Sequence, residues 1–120
     1  MYVLFEHGFV DIVEDRESPH GDVLMVRARR REDLERFMQL ATPTYNNVDY
    51  PPEIQAWDIA DYRFRVFLYR KEVEELIVAA ITKIDYTSFK TRMLEVDPEL
   101  HEAMLDWWLA FVKLQIKEDV

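Results

Sequence analysis

The chain contains no cysteine, and its 120 residues include only two glycines. Without cysteine there is no disulfide, no thiolate nucleophile and no cysteine zinc site, a composition suited to a reducing cytoplasm. With glycine confined to Gly8 and Gly21, no P-loop or dinucleotide-type loop can be written, because both bring backbone close to phosphate through clustered glycines. No apolar run approaches the ~18 residues that span a membrane. The segment Met1 to Gly8 lacks basic residues and meets a charge too early for a signal peptide. Positive charge is also short, with 15 Lys+Arg against 24 Asp+Glu and a net charge of −9. Nucleic acid is therefore repelled on average, and any such contact is confined to a local basic patch. The expectation is a cytoplasmic protein with no membrane association.

Eight of the 15 bases lie in two short stretches free of acid, Arg27–Arg31 and Arg63–Lys71. Both read as a strand running into a helix. Side chains alternate across a strand, so Arg27 and Arg29 share one face of the first, and Arg63 and Arg65 one face of the second. If the strands are neighbours, four guanidinium groups line one patch of an otherwise negative surface. Such a patch needs counter-charge. Either the chain's own acids supply it, such as Asp11 or Glu14 on the neighbouring strand, or a bound anion does.

Hydrophobic residues make up 49% and charged residues 32%, as in an ordinary globular protein. Length and pattern give a single α+β domain over residues 1–120. Residues 2–13 read as one bulged strand or two short ones broken at Glu6-His7-Gly8, with Gly8 in the role of a bulge. Gly21 falls in a turn, Ser18 to Asp22. Strands follow at 23–29, with Leu24, Val26 and Ala28 inward, and at 63–69, with Phe64, Val66 and Leu68 inward. Helices are expected at 31–41, 71–84 and 98–117. The second carries the most regular apolar stripe, Val73, Leu76, Ile77, Ala80, Ile81 and Ile84, with Glu72, Glu74 and Glu75 toward solvent. Asp97-Pro98 reads as an N-cap followed by proline at the first helical position. The elements assemble into a two-layer sandwich, a small mainly antiparallel sheet with helices on one face. Residues 42–58 form a long loop of prolines and aromatics, including Tyr45, Tyr50 and Trp57, whose rings either cap the core or stack on a ligand.

The last helix has two apolar stripes at 100° per residue. Leu100, Met104, Trp107, Trp108, Phe111 and Leu114 form one, expected to seal the chain's own core around Met104, Trp107 and Phe111. Leu105, Leu109, Val112 and Ile116 form the other. The second stripe is either enclosed within one chain or meets its counterpart on a second copy.

Other chemistry is thin. His7, His20 and His101 make no metal-ligand spacing, and Glu14-Asp15-Arg16-Glu17 lacks the pattern of a calcium loop. Ser18 and Ser88 have no local activating context. No catalytic residue, metal site or cofactor is expected.

His7-Gly8-Phe9-Val10, Val26-Arg27-Ala28-Arg29 with Asp33-Leu34-Glu35, Ala60 to Arg65, Ile84 to Lys90 and the aromatic helix from Trp107 to Gln115 occur in an order that resembles a group of short, uncharacterised bacterial and phage proteins. The resemblance spans nearly the whole chain and implies a phage link, but no activity, cofactor or site residue. The sequence therefore points to a small non-enzymatic binding or accessory protein, a protein-interaction module or inhibitor that self-associates. The alternative is a protein that binds a phosphorylated small molecule or nucleotide at Arg27, Arg29, Arg63 and Arg65.

Overall fold

The computed structural model describes residues 1–18, 20–42 and 52–118, with the side chains of 117 and 118 left aside. Most of the proline-aromatic loop, including Tyr45 and Tyr50, lies outside the described residues. The chain divides into two compact units, Met1–Asp85 and Tyr86–Val120.

The first unit is built on a five-stranded antiparallel sheet. Its strands are β1 (Tyr2–Phe5), β2 (Gly8–Glu14), β3 (Val23–Ala28), β4 (Gln55–Ala56) and β5 (Phe64–Tyr69), in the spatial order β1-β2-β3-β5-β4. Residues 2–13 thus make two strands, and no bulge is present. Gly8 sits in regular register opposite Phe5. What requires glycine there is the approach of helix α1 (Arg31–Met38): a Cβ on Gly8 would meet the Asp33 Cβ and Cγ at 3.0 Å. Gly21 has a φ of +68°, in the left-handed region that glycine enters at no steric cost, as its turn requires.

Alternation sorts the strands. Val10, Ile12, Leu24, Val26, Ala28, Val66 and Leu68 turn to one face and are buried together with Phe5, Leu34 and Phe37. Helices α1 and α2 (Arg70–Thr82) contribute to this one cluster and so cover the same face. Asp33 anchors α1. Its carboxylate accepts from Phe9 N–H at 3.2 Å and from Arg30 Nη2 at 2.7 Å. Burial raises the Asp33 pKa, with the Arg30 hydrogen bond opposing. Protonation of Asp33 is therefore favoured by folding, and this group's contribution to stability is full below its ordinary pKa and lost as pH rises through the raised one.

Only the start of α2 is core. Val73 and Leu76 are buried, Ile77 and Ala80 half-buried, and Val78, Ile81 and Ile84 exposed. Glu72, expected toward solvent, is buried because its Oε1 accepts from Tyr69 N–H at 3.0 Å and so caps the helix.

The second unit contains α3 (Phe89–Val96) and the long α4 (Pro98–Glu118), which pack on each other. Ser88 Oγ caps α3 by accepting from Thr91 N–H at 3.3 Å. Asp97 Oδ1 accepts from Leu100 N–H at 3.1 Å, so the expected Asp-Pro start of the last helix is present. Burial is sparse, limited among the described apolar residues to Met93, Leu100 and Met104. Trp107 and Phe111, expected to seal the core, are exposed instead; α3, only eight residues long, meets α4 as far along as Trp108, where Lys90 Nζ stands 3.5 Å from the ring centroid. No described helix is long and apolar enough to cross a membrane.

The core boundary in α2 gives a stability contrast. Leu76→Ala should cost about 2–5 kcal/mol, as removal of a fully buried leucine does. Ile81→Ala should stay within about 0.5 kcal/mol. Urea denaturation of both variants checks it; equal losses would place the core elsewhere along the helix.

Candidate functional site

The alternation that buries Val26 and Val66 sends Arg27 and Arg65 to the opposite face. The register sets them directly across from each other, with Asp11 across from Arg27 on the next strand. Tyr2 lies across from Asp11, and Gln55 across from Arg65. A single row, Tyr2–Asp11–Arg27–Arg65–Gln55, therefore crosses all five strands on the face away from α1 and α2.

The four arginines do not share one environment. The ladder ends at the pair Ala28–Phe64, so Arg29 and Arg63 lie just beyond it. Arg63 turns away to Asp58, with Nε 3.0 Å from Oδ1 and both side chains exposed. Such a pair is worth roughly 0–1 kcal/mol.

Arg27 is bound by carboxylate. Its Nε donates to Asp11 Oδ2 at 3.0 Å and its Nη2 contacts the same oxygen. Asp11 is only 3% exposed. The internal pairing weighed from the sequence is thus present for Arg27 and Asp11, whereas Glu14 is taken by Arg70 at 3.2 Å.

Arg65 has no such partner among the described residues. Expected on the solvent face, it is 7% exposed. Its Nη2 donates to the Tyr62 carbonyl at 3.3 Å, its Nη1 approaches the Met25 sulfur at 3.5 Å, and its Nε is buried without a hydrogen bond. The Trp57 ring lies over the guanidinium, with Cζ 3.9 Å from the ring centroid. Burial, and then the charge of Arg27, lower the Arg65 pKa, yet a guanidinium stays cationic in neutral water. A buried charge touching only neutral groups costs several kcal/mol. A desolvated cation–π contact returns about 2 kcal/mol of that.

Tyr62 carries two of the arginines on its ring. It is buried, and the Cζ atoms of Arg27 and Arg29 stand 4.8 and 4.9 Å from its ring centroid. Its hydroxyl pKa is pushed up to about 12, first by burial, then by a hydrogen bond with Tyr2 and the Asp11 charge, with Arg29 opposing. Arg29 itself is exposed. The cluster is therefore three guanidiniums, one carboxylate and two rings. The sequence offers Trp57 as a ring that caps the core or stacks on a ligand; in the structure it lies on an arginine of the chain itself. The brevity of β4, two residues, hid that Gln55–Arg65 pairing places Trp57 over Arg65.

This chemistry suits anion recognition. Among the described residues no three His, Asp or Glu side chains converge as a metal ion needs. Comparison with family models, curated proteins and solved structures returns no match, so the reading of the site rests on its own geometry.

Two measurements bear on the row. Asp11→Ala should destabilise by about 3–5 kcal/mol, because it leaves Arg27 facing Arg65 without the buried carboxylate between strands. Asp58→Ala should cost less than about 1 kcal/mol. Similar losses in chemical denaturation would contradict the difference in burial. In an alkaline titration followed by tyrosinate absorbance, Tyr62 should ionise near 12, well above the ordinary value of ~10. Its contribution to stability is present below pH ~10 and lost as pH rises through the folded value, since the unfolded chain releases the proton first.

Proposed function

We propose that this chain is a non-enzymatic interaction protein that assembles with a second copy of itself through its C-terminal helical hairpin. The observation that carries the reading is the second half of α4. From Trp107 to Ile116, Trp107, Trp108, Leu109, Phe111, Leu114 and Ile116 are all exposed, between 37% and 62%. At 100° per residue these positions span about 220° of the helix and leave a narrower polar arc with Asp106 and Lys113. So wide an exposed apolar face calls for a partner.

Size and composition support self-association. A unit as short as Tyr86–Val120 falls below the ~40 residues under which domains ordinarily need disulfides, metals or association. Cysteine is absent. The exposed side chains offer apolar area on the order of 700 Å² per chain, close to the ~800 Å² per partner of a standard interface. Two hairpins meeting about a two-fold axis form a four-helix bundle, which encloses such helices on more than one side. Leu105 and Val112 are half-buried, while Leu109 and Ile116 are exposed and available to the partner.

Light scattering over a range of concentrations tests this. The wild type should be a dimer or larger. Changing Leu109→Lys together with Val112→Glu should give a folded monomer, with its sheet unit intact by near-ultraviolet circular dichroism. A wild-type monomer at high concentration ends the proposal.

A further inference from the structure

We infer that Arg65, Arg27 and Arg29 form a binding site for the phosphate group of a small phosphorylated ligand, with the Trp57 ring as its movable cover. Arg65 is the centre of the case. Its guanidinium is 7% exposed, its Nε has no partner, and its remaining contacts are a carbonyl and a thioether. Neither is an anion. The adjacent Arg27 has already engaged the one carboxylate in the row, Asp11. Arg29 stands on the same Tyr62 ring as Arg27, exposed and without an ion pair among the described residues. Three guanidiniums and the N-terminal ammonium, 3.6 Å from Asp11 Oδ1, stand against that one acid, an excess of positive charge that suits a phosphate ester of about −1.5 to −2 at neutral pH. Guanidinium forks suit its oxygens, and several together hold it without a glycine loop. Arg63 is not part of the site, because Asp58 holds it.

Access runs through Trp57. Its ring is the group lying on Arg65, yet it is itself 48% exposed. The ring is tied by one hydrogen bond, Nε1 to Gln55 Oε1 at 3.2 Å on the exposed side. The backbone around it is fixed separately, through Trp57 N–H to the Arg63 carbonyl at 2.7 Å and Ala60 N–H to the Trp57 carbonyl at 3.1 Å. A side-chain rotation therefore uncovers the guanidinium without disturbing the β4–β5 hairpin. The displaced indole is then beside the bound phosphate, placed to stack on a planar group that the phosphate carries.

The experiment is calorimetric titration of the full chain with inorganic phosphate and with adenosine monophosphate, at matched ionic strength. Saturable one-to-one binding is expected for both, at least tenfold tighter for the nucleotide, and weakening as salt rises. Arg29→Gln, at an exposed position, should keep the melting temperature and weaken binding of both at least tenfold. Arg65→Met should abolish saturable binding, and Trp57→Ala should tighten binding of inorganic phosphate. In a Trp107→Phe, Trp108→Phe chain, where Trp57 is the sole tryptophan, phosphate should shift its fluorescence. Absence of saturable binding to the folded wild type overturns the site, as does binding that Arg29→Gln leaves unchanged. Binding with no change in Trp57 emission overturns the cover. If Arg65→Met does not fold, the Arg29→Gln result decides. These readouts stand apart from the oligomeric state, so a monomeric chain leaves them fully interpretable.

Discussion

Two arginines directly opposite each other on paired strands repel, and the Asp11 carboxylate makes that arrangement tolerable in this sheet. Asp11 is buried, and both its bonds to Arg27 use one oxygen. Through it the charge of Arg27 is balanced within the row, and Arg27 can lie flat beside Tyr62. Arg65 then remains as the uncompensated cation, held by an indole ring and a carbonyl rather than by an acid. The geometry of the whole face follows from this unequal sharing. One carboxylate stands among three guanidiniums and pairs with Arg27 alone, and aromatic rings take the places that further acids would fill.

The other face of the same sheet obeys a different constraint. There the chain brings α1 onto the β1–β2 hairpin so closely that a Cβ at position 8 would press on Asp33, which would have to give way. Asp33 then supplies an acceptor for Phe9 N–H at the point of contact. The carboxylate resists ionisation because the approach that creates the hydrogen bond also excludes water. Asp11 and Asp33 are thus the two buried acids that tie strands to their neighbours, one on each face. The helical hairpin of the second unit has its buried acid, Asp97, at a helix start. Its burial rests on Met93, Leu100 and Met104, and its caps fix where helices begin rather than what covers them.

Much of the fold was legible because its signals are local. Strand alternation in Val23–Ala28 and Phe64–Tyr69 identified the inward residues, and Asp97-Pro98 marked the start of α4. Glu72 was misread since a carboxylate in a first helical turn looks solvated until its own N-cap backbone is seen to need it. The second half of α4 was misread in part for a related reason. Periodicity separates two stripes but does not reveal how far the neighbouring helix extends, and the eight residues of α3 leave Trp107 and Phe111 exposed.

For the arginine cluster the division is sharper. Sequence alone determined that Arg27 and Arg65 leave the core face, because side chains alternate and the core residues on either side are unmistakable. It also determined that acids outnumber bases, that cysteine is missing and that the chain alternates between strand and helix. Only the tertiary structure decided that Arg27 meets Asp11, that Arg63 is drawn off by Asp58, and that Arg65 is buried beneath Trp57. The first depends on strand order, and the last on the pairing of a two-residue strand, β4, that no local pattern marks. Charge and periodicity are properties of segments, whereas the partner of a buried charge is a property of register.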